Sequence, residues 1–169
     1  HITLPETLDK IGRHSFYGCT SLKSAAIPDS VAEIGMGCFC GCSALRSVTI
    51  SESLTRLPES CFRSCPELRT VTVPQSVTEI GDFCFSGCTS LTAVSLGDGV
   101  QSIGDCAFYM CSALGGIYIP DSAEHIGVCA LGYMPTNHGA QPIERFTVLG
   151  GKKSAARTYA ADNSLTFED

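Results

Sequence analysis

Eleven cysteines are the residues of this 169-residue chain most suited to chemistry. Cys19, Cys42, Cys65, Cys88 and Cys111 recur at a fixed step of 23 positions, and Cys38, Cys61 and Cys84 form a second column on the same step. Thiols so arranged can ligate a metal, form disulfides or fill space. Structural zinc needs four ligands converging tetrahedrally, commonly from Cys-x-x-Cys pairs. The sequence offers Cys38-x-Cys40-x-Cys42 and Cys-x-x-x-Cys at 38/42, 61/65 and 84/88 instead, and a column spreads thiols along an axis. A disulfide needs Cβ atoms about 3.8 Å apart with a defined dihedral. Column neighbours about 4.8 Å apart with parallel side chains suit that poorly. Cys106 and Cys129, one period apart in a less buried column, are the pair best placed for a bridge. An odd number of cysteines cannot all pair within one chain. The regular columns therefore read as small buried hydrophobes, one per layer.

Other candidates for chemistry are weaker. His1, His14, His125 and His138 fall at unrelated points with no Cys, Asp or Glu partner at motif spacing, and read as exposed loop residues. No Gly-x-Ser-x-Gly elbow or phosphate-cradling glycine motif is present. Glu33, Glu52 and Glu79 recur near turns and read as a solvated edge, not a calcium site. The expectation is a non-enzyme without cofactor or metal. A net charge of −6, a pI near 5.1 and scattered Lys and Arg argue against nucleic acid. No apolar run approaches the ~18 residues of a membrane span.

The elements that position the thiols follow from further columns on the same step. Ile11, Ile34, Leu57, Ile80, Ile103 and Ile126 form one, and Phe16, Phe39, Phe62, Phe85, Phe108 and Leu131 another. Leu22, Leu45, Leu68, Leu91 and Leu114 form a third. A period between 20 and 50 residues predicts a solenoid of stacked units that bury their apolar sides against one another. Within a unit, Leu45-Arg46-Ser47-Val48-Thr49-Ile50 alternates with the period of a half-buried strand. Pro28, Pro74 and Pro120 end that strand, and Ser30, Ser53, Ser76 and Ser122 fall in the turn beyond it. A short apolar pair such as Val77 and Ile80 bridges the opposite wall. Gly12, Gly35, Gly81, Gly104 and Gly127 predict positive φ, and a single helical turn over 82–88 closes the circuit.

The chain starts within a repeat, so 1–10 is a partial unit, 11–131 holds the 23-residue repeats and 132–142 is an insertion. Ile143-x-x-Phe146-x-Val148 resumes the strand pattern six residues late. Ser154 as N-cap, a small helix, Asn163 as its stop and a strand at 165–167 make 143–169 a C-terminal cap. The outward ladder of the main strands is Ala26, Thr49, Thr72, Ser95 and Tyr118. It reads either as β-formers on a pleated surface or as a partner-binding wall of Thr49, Thr72, Ser95 and Tyr118. Tyr118, with Tyr109 and Tyr133 nearby, would supply rigid amphipathic anchors.

The unit Ile-Gly-x-x-x-Phe-x-Gly-Cys-x-x-Leu-x-x-Val-x-Ile-Pro-x-Ser-Val, seen with small changes at 34–54 and 80–100, resembles the BspA-like leucine-rich repeat family over residues 2–131. Leu57-Pro58 replaces Ile-Gly, and Cys38, Cys61 and Cys84 stand where that family commonly has Ala. The resemblance implies one leucine-rich-repeat domain, mainly β. It would be a right-handed superhelix of ~23-residue repeats, with short parallel strands, single helical turns and a helix/strand cap. It implies a non-catalytic protein-binding or adhesion module, extracellular or at the cell surface of a bacterium. Its partner would be a host or microbial surface protein, and the chain a monomer without membrane insertion in this segment. The competing readings are a structural spacer in a larger extracellular protein and, more remotely, a cysteine-based metal protein.

Overall fold

The computed structural model describes residues 2–169 and is a parallel-strand solenoid advancing one rung per repeat. The second wall consists of two-residue strands: β1 (Lys10–Ile11), β3 (Glu33–Ile34), β5 (Arg56–Leu57), β7 (Glu79–Ile80), β9 (Ser102–Ile103) and β11 (His125–Ile126). The main wall consists of β2 (Ser24–Ala26), β4 (Ser47–Thr49), β6 (Thr70–Val73), β8 (Ala93–Leu96) and β10 (Gly116–Tyr118). Register is the sequence period made physical, because Val71 pairs with Val94 and Leu57 with Ile80 in parallel ladders. The second wall breaks once, between β3 and β5. Elsewhere the residue after each strand donates to the rung before it, as Gly35 does to Ile11 and Gly81 to Leu57. Pro58 occupies that place in its rung and has no N–H to give.

The core is a prism of identical layers. Phe39, Phe62, Phe85 and Phe108 are fully buried, and with Phe16 they stack at centroid spacings of 5.0–5.4 Å with near-parallel rings. The third side is not the expected helical turn. Its N–H groups alternate in direction: Cys84 and Ser86 donate within the rung to Gly81 and Phe83, while Phe85 and Gly87 donate onward to Ala107 and Tyr109. In a continuing helix these N–H groups would all point the same way, each to the carbonyl four residues back. Sharing them with the next rung satisfies the backbone of both.

This alternation also moves the left-handed residues away from the expected glycines. Positive φ falls at His14, Gly37, Ser60, Phe83, Cys106 and Cys129, two residues later. The Gly81, Gly104 and Gly127 column is required by contact instead. A Cβ there would lie 2.6 Å from the backbone nitrogen of Glu59, Asp82 or Asp105 on the preceding rung.

The turn serines likewise work between rungs. Ser30 and Ser122 donate to the carbonyls of Leu8 and Val100, each at 2.7 Å. Ser76 Oγ, at the same place two rungs after Ser30, is buried without a partner.

The insertion is an antiparallel hairpin, β12 (Tyr133–Thr136) with β13 (Gly139–Pro142). The main wall then resumes in β14 (Thr147–Leu149), followed by α1 (Ala155–Asp162) and β15 (Thr166–Glu168). Val148 pairs with Ile117, not with Ile119, so the resumed strand sits two residues away from the register the apolar pattern predicts. Ser154 is at the N-cap, but its hydroxyl donates back to Gly151 O at 2.7 Å and makes no cap bond. Asn163 does end the helix, with Nδ2 donating 2.8 Å to Tyr159 O.

Candidate partner-binding wall and the thiol columns

Strand alternation sets the main wall. Val71 and Ile117 turn inward and are buried, so Thr49, Thr72, Ser95 and Tyr118 turn outward on four consecutive rungs, all exposed. Tyr118 is 52% exposed and is the one large side chain among the four. The other two tyrosines do not join it. Tyr133 lies in the hairpin, where its hydroxyl donates to Asn163 Oδ1 at 3.0 Å, and Tyr109 belongs to the turn side. The wall is thus a shallow hydroxyl array with one aromatic near its C-terminal end. It can accept and donate hydrogen bonds along an extended partner, and it holds no assembled nucleophile, base or ligand set.

The thiols take a different course. All eleven are free thiols. Cys38, Cys61 and Cys84 are fully buried, as are Cys42, Cys65 and Cys88. The second set is more than filler. Cys42, Cys65, Cys88 and Cys111 each direct Sγ at the carbonyl of a phenylalanine one rung back (Phe16, Phe39, Phe62 and Phe85), at 3.1–3.3 Å. An S–H donor there satisfies a lone pair that Ala would leave unmet. Burial raises the Cys42 thiol to about 11 and the Cys65 and Cys111 thiols to about 12, each offset in part by backbone hydrogen bonding. Burial likewise raises Cys38 to about 12 and holds Cys61, Cys84 and Cys88 well up. The thiolate is the nucleophile and the metal ligand, so burial keeps these seven in the less reactive thiol form. Cys19, at the first rung of its column, departs from the expected buried ladder and is exposed, because no complete rung precedes it. Among the described residues no three His, Cys, Asp or Glu side chains stand close enough to hold a metal ion. Cys106 and Cys129 occupy the same place on adjacent rungs, both half-buried and both at positive φ.

Tyr159 of α1 is a residue that reading the sequence misses. Its hydroxyl accepts from Leu131 N at 3.0 Å and donates to Leu131 O at 3.2 Å, serving the backbone that the next rung would otherwise serve. Burial raises the phenol above its ordinary value, consistent with a donor that stays protonated. No described helix is long and apolar enough to cross a membrane.

A family model for the BspA-type leucine-rich repeat region matches residues 1–115 in six copies. Among solved structures, the chain is similar to a leucine-rich cell surface protein from Faecalibacterium prausnitzii, at 34% identity and a TM-score of 0.64 over 74% of this chain and 31% of that one. A leucine-rich repeat protein from Eubacterium ventriosum matches at 26% identity with a TM-score of 0.73, over 83% of this chain and 41% of that one. A T. pallidum leucine-rich repeat protein at 24% identity, with a TM-score of 0.60, shares the fold. The chain therefore spans less than half the length of the first two. No curated protein matches it.

Proposed function

Because the chain belongs to the BspA-type leucine-rich repeat family, we propose that it is a non-catalytic module that binds another protein. Its place would be the cell surface or the extracellular space of a bacterium. The observation that carries this reading is the uncovered wall of Thr49, Thr72, Ser95 and Tyr118. The fold needs these side chains for nothing inside, since every apolar column is already sealed by the rungs on either side. Large repeat surfaces of this kind offer a partner an extended, rigid platform. Tyrosine at one end supplies an anchor of the type that dominates interface energetics. The surface location draws on the Faecalibacterium prausnitzii protein, which is described as a cell surface protein. The module acts as a monomer.

The test is recovery of partners from mucosal and co-resident bacterial extracts, with the wild-type chain and a Thr49→Ala/Thr72→Ala/Ser95→Ala/Tyr118→Ala variant as baits. The reading expects a protein captured by the wild type to fall at least about tenfold with the variant, the loss that ~1.4 kcal/mol produces. Equal recovery removes this wall as the binding surface. The spacer reading would instead predict no specific capture by either bait.

A further inference from the structure

Charge is segregated along the solenoid. Residues 70–144 contain no Lys or Arg, and they hold Glu79, Asp82, Asp98, Asp105, Asp121, Glu124 and Glu144. This one-signed stretch meets a groove of about 880 Å³ between the second strand wall and helix α1. The floor is the outward column of that wall, Arg56, Glu79, Ser102 and His125, in register on consecutive rungs. Glu59 and Asp82 line it from the turn side, Glu124 precedes the last strand, and Asp162 reaches it from the helix. Arg56 is the one Lys or Arg at the groove, and it is already committed to Glu79 at 3.1 Å. Glu59, Glu124 and Asp162 are exposed and appear in none of the ion pairs. The groove is therefore a concave surface with an uncompensated negative field, which low-dielectric walls focus.

Its geometry selects among cations. The carboxylates are spread over four rungs, and no three of them converge on a point, so a single divalent ion finds no cage. Four rungs at about 4.8 Å span roughly 15 Å, the length of about five extended residues at ~3.3 Å each. The floor supplies a run of backbone-flanked polar side chains, and Val128, 72% exposed, offers apolar contact at one end. We propose that this groove binds an extended Lys- or Arg-bearing peptide segment of a protein partner. The proposal rests on the protein-binding reading only for the class of ligand, since it uses a face distinct from the Thr49–Tyr118 wall.

The experiment uses the whole chain and a fluorescein-labelled, capped hexalysine peptide, read by anisotropy at low and at physiological salt. Binding is expected, and it should weaken with salt as surface charge pairs do. A Glu59→Gln/Glu124→Gln/Asp162→Asn variant should lose at least about tenfold in affinity. A Glu6→Gln/Glu52→Gln/Asp98→Asn variant makes the same change in net charge on exposed residues away from the groove, and should stay within about twofold. Thr158→Lys, which puts a competing ammonium on the exposed helix face lining the groove, should also weaken binding and carries the test if the triple variant folds poorly. The strand-wall quadruple variant should bind hexalysine like the wild type, so the two sites fail separately. Equal weakening by both triple variants, loss in the strand-wall variant, spermine binding as tightly as hexalysine, or no binding at all would each overturn the proposal.

Discussion

The interior rungs and the C-terminal cap solve one problem by different means. In the interior, every rung finishes its neighbour. Phe85 lies between Phe62 and Phe108, its N–H goes forward to Ala107, and its carbonyl receives the Cys111 thiol from the next rung. At Leu131 there is no next rung of the same kind. Leu takes the place of Phe, and the Tyr159 hydroxyl serves both backbone groups of that residue. Repetition makes the interior redundant, since any layer resembles the next. The cap is singular, because one side chain closes the stack. Solenoid stability is a sum of unit and nearest-neighbour terms, so the two regions should respond differently to damage.

The largest departure should come from pH. Burial pushes the Cys42 thiol up to about 11 and the Cys38, Cys65 and Cys111 thiols up to about 12, against an ordinary value of 9.0. The folded state therefore keeps protons that the unfolded state releases. This stability is fully present below pH 9 and is lost between pH 9 and about 12, by up to about 1.4 kcal/mol per pH unit for each thiol. Melting curves across that range should fall steeply, and a Cys38→Ala/Cys61→Ala/Cys84→Ala variant should fall less. Curves flat to pH 11 would contradict the burial of the thiol columns. Next in size, Phe85→Ala removes one ring from the middle of the stack and should cost about 3–5 kcal/mol in urea denaturation. Tyr159→Phe should cost about 1–3 kcal/mol, the penalty for leaving buried backbone groups unpaired. Its signature is local: hydrogen exchange at Leu131 should accelerate while the Leu57 and Ile80 amides keep their protection. Uniform loss of protection would mean that the cap and the interior are one cooperative unit. The smallest effect belongs to the surface. Arg56→Gln breaks an exposed ion pair to Glu79 and should change stability by about 0.2–1 kcal/mol.

The same contrast governs what could be read from sequence. The Ile, Phe and Leu columns carry the interior because each contact there links equivalent positions, and the period states the pairing outright. Contacts between unlike positions left no such trace. The Cys65 thiol meets a carbonyl 26 positions away, and the Tyr159 hydroxyl meets Leu131 across 28. The hairpin of β12 and β13 carries Pro135 and Pro142, which speak against strands and are tolerated here because the pair has no further neighbour. The two-residue slip at Val148 arises because Phe146 and Val148 are both apolar and both buried, so alternation alone fits either register. The glycines at Gly81 and Gly104 were legible as necessary, but for φ instead of the close approach that requires them. The strand wall of Thr49, Thr72, Ser95 and Tyr118 followed from alternation. The acidic groove did not, because Glu59, Glu124 and Asp162 come together only once the stack and the helix are in place.

Excision of one full period tests the layered account most directly. Deleting residues 58–80 should bring Phe39 onto Phe85 and hand the Phe39 carbonyl to the Cys88 thiol. The shortened chain should fold, with an unchanged circular dichroism spectrum per residue and a length in small-angle scattering reduced by about 5 Å, one rung. A deletion of half that length at the same place should unfold the protein. If both deletions behave alike, the rungs are not interchangeable layers and the account fails.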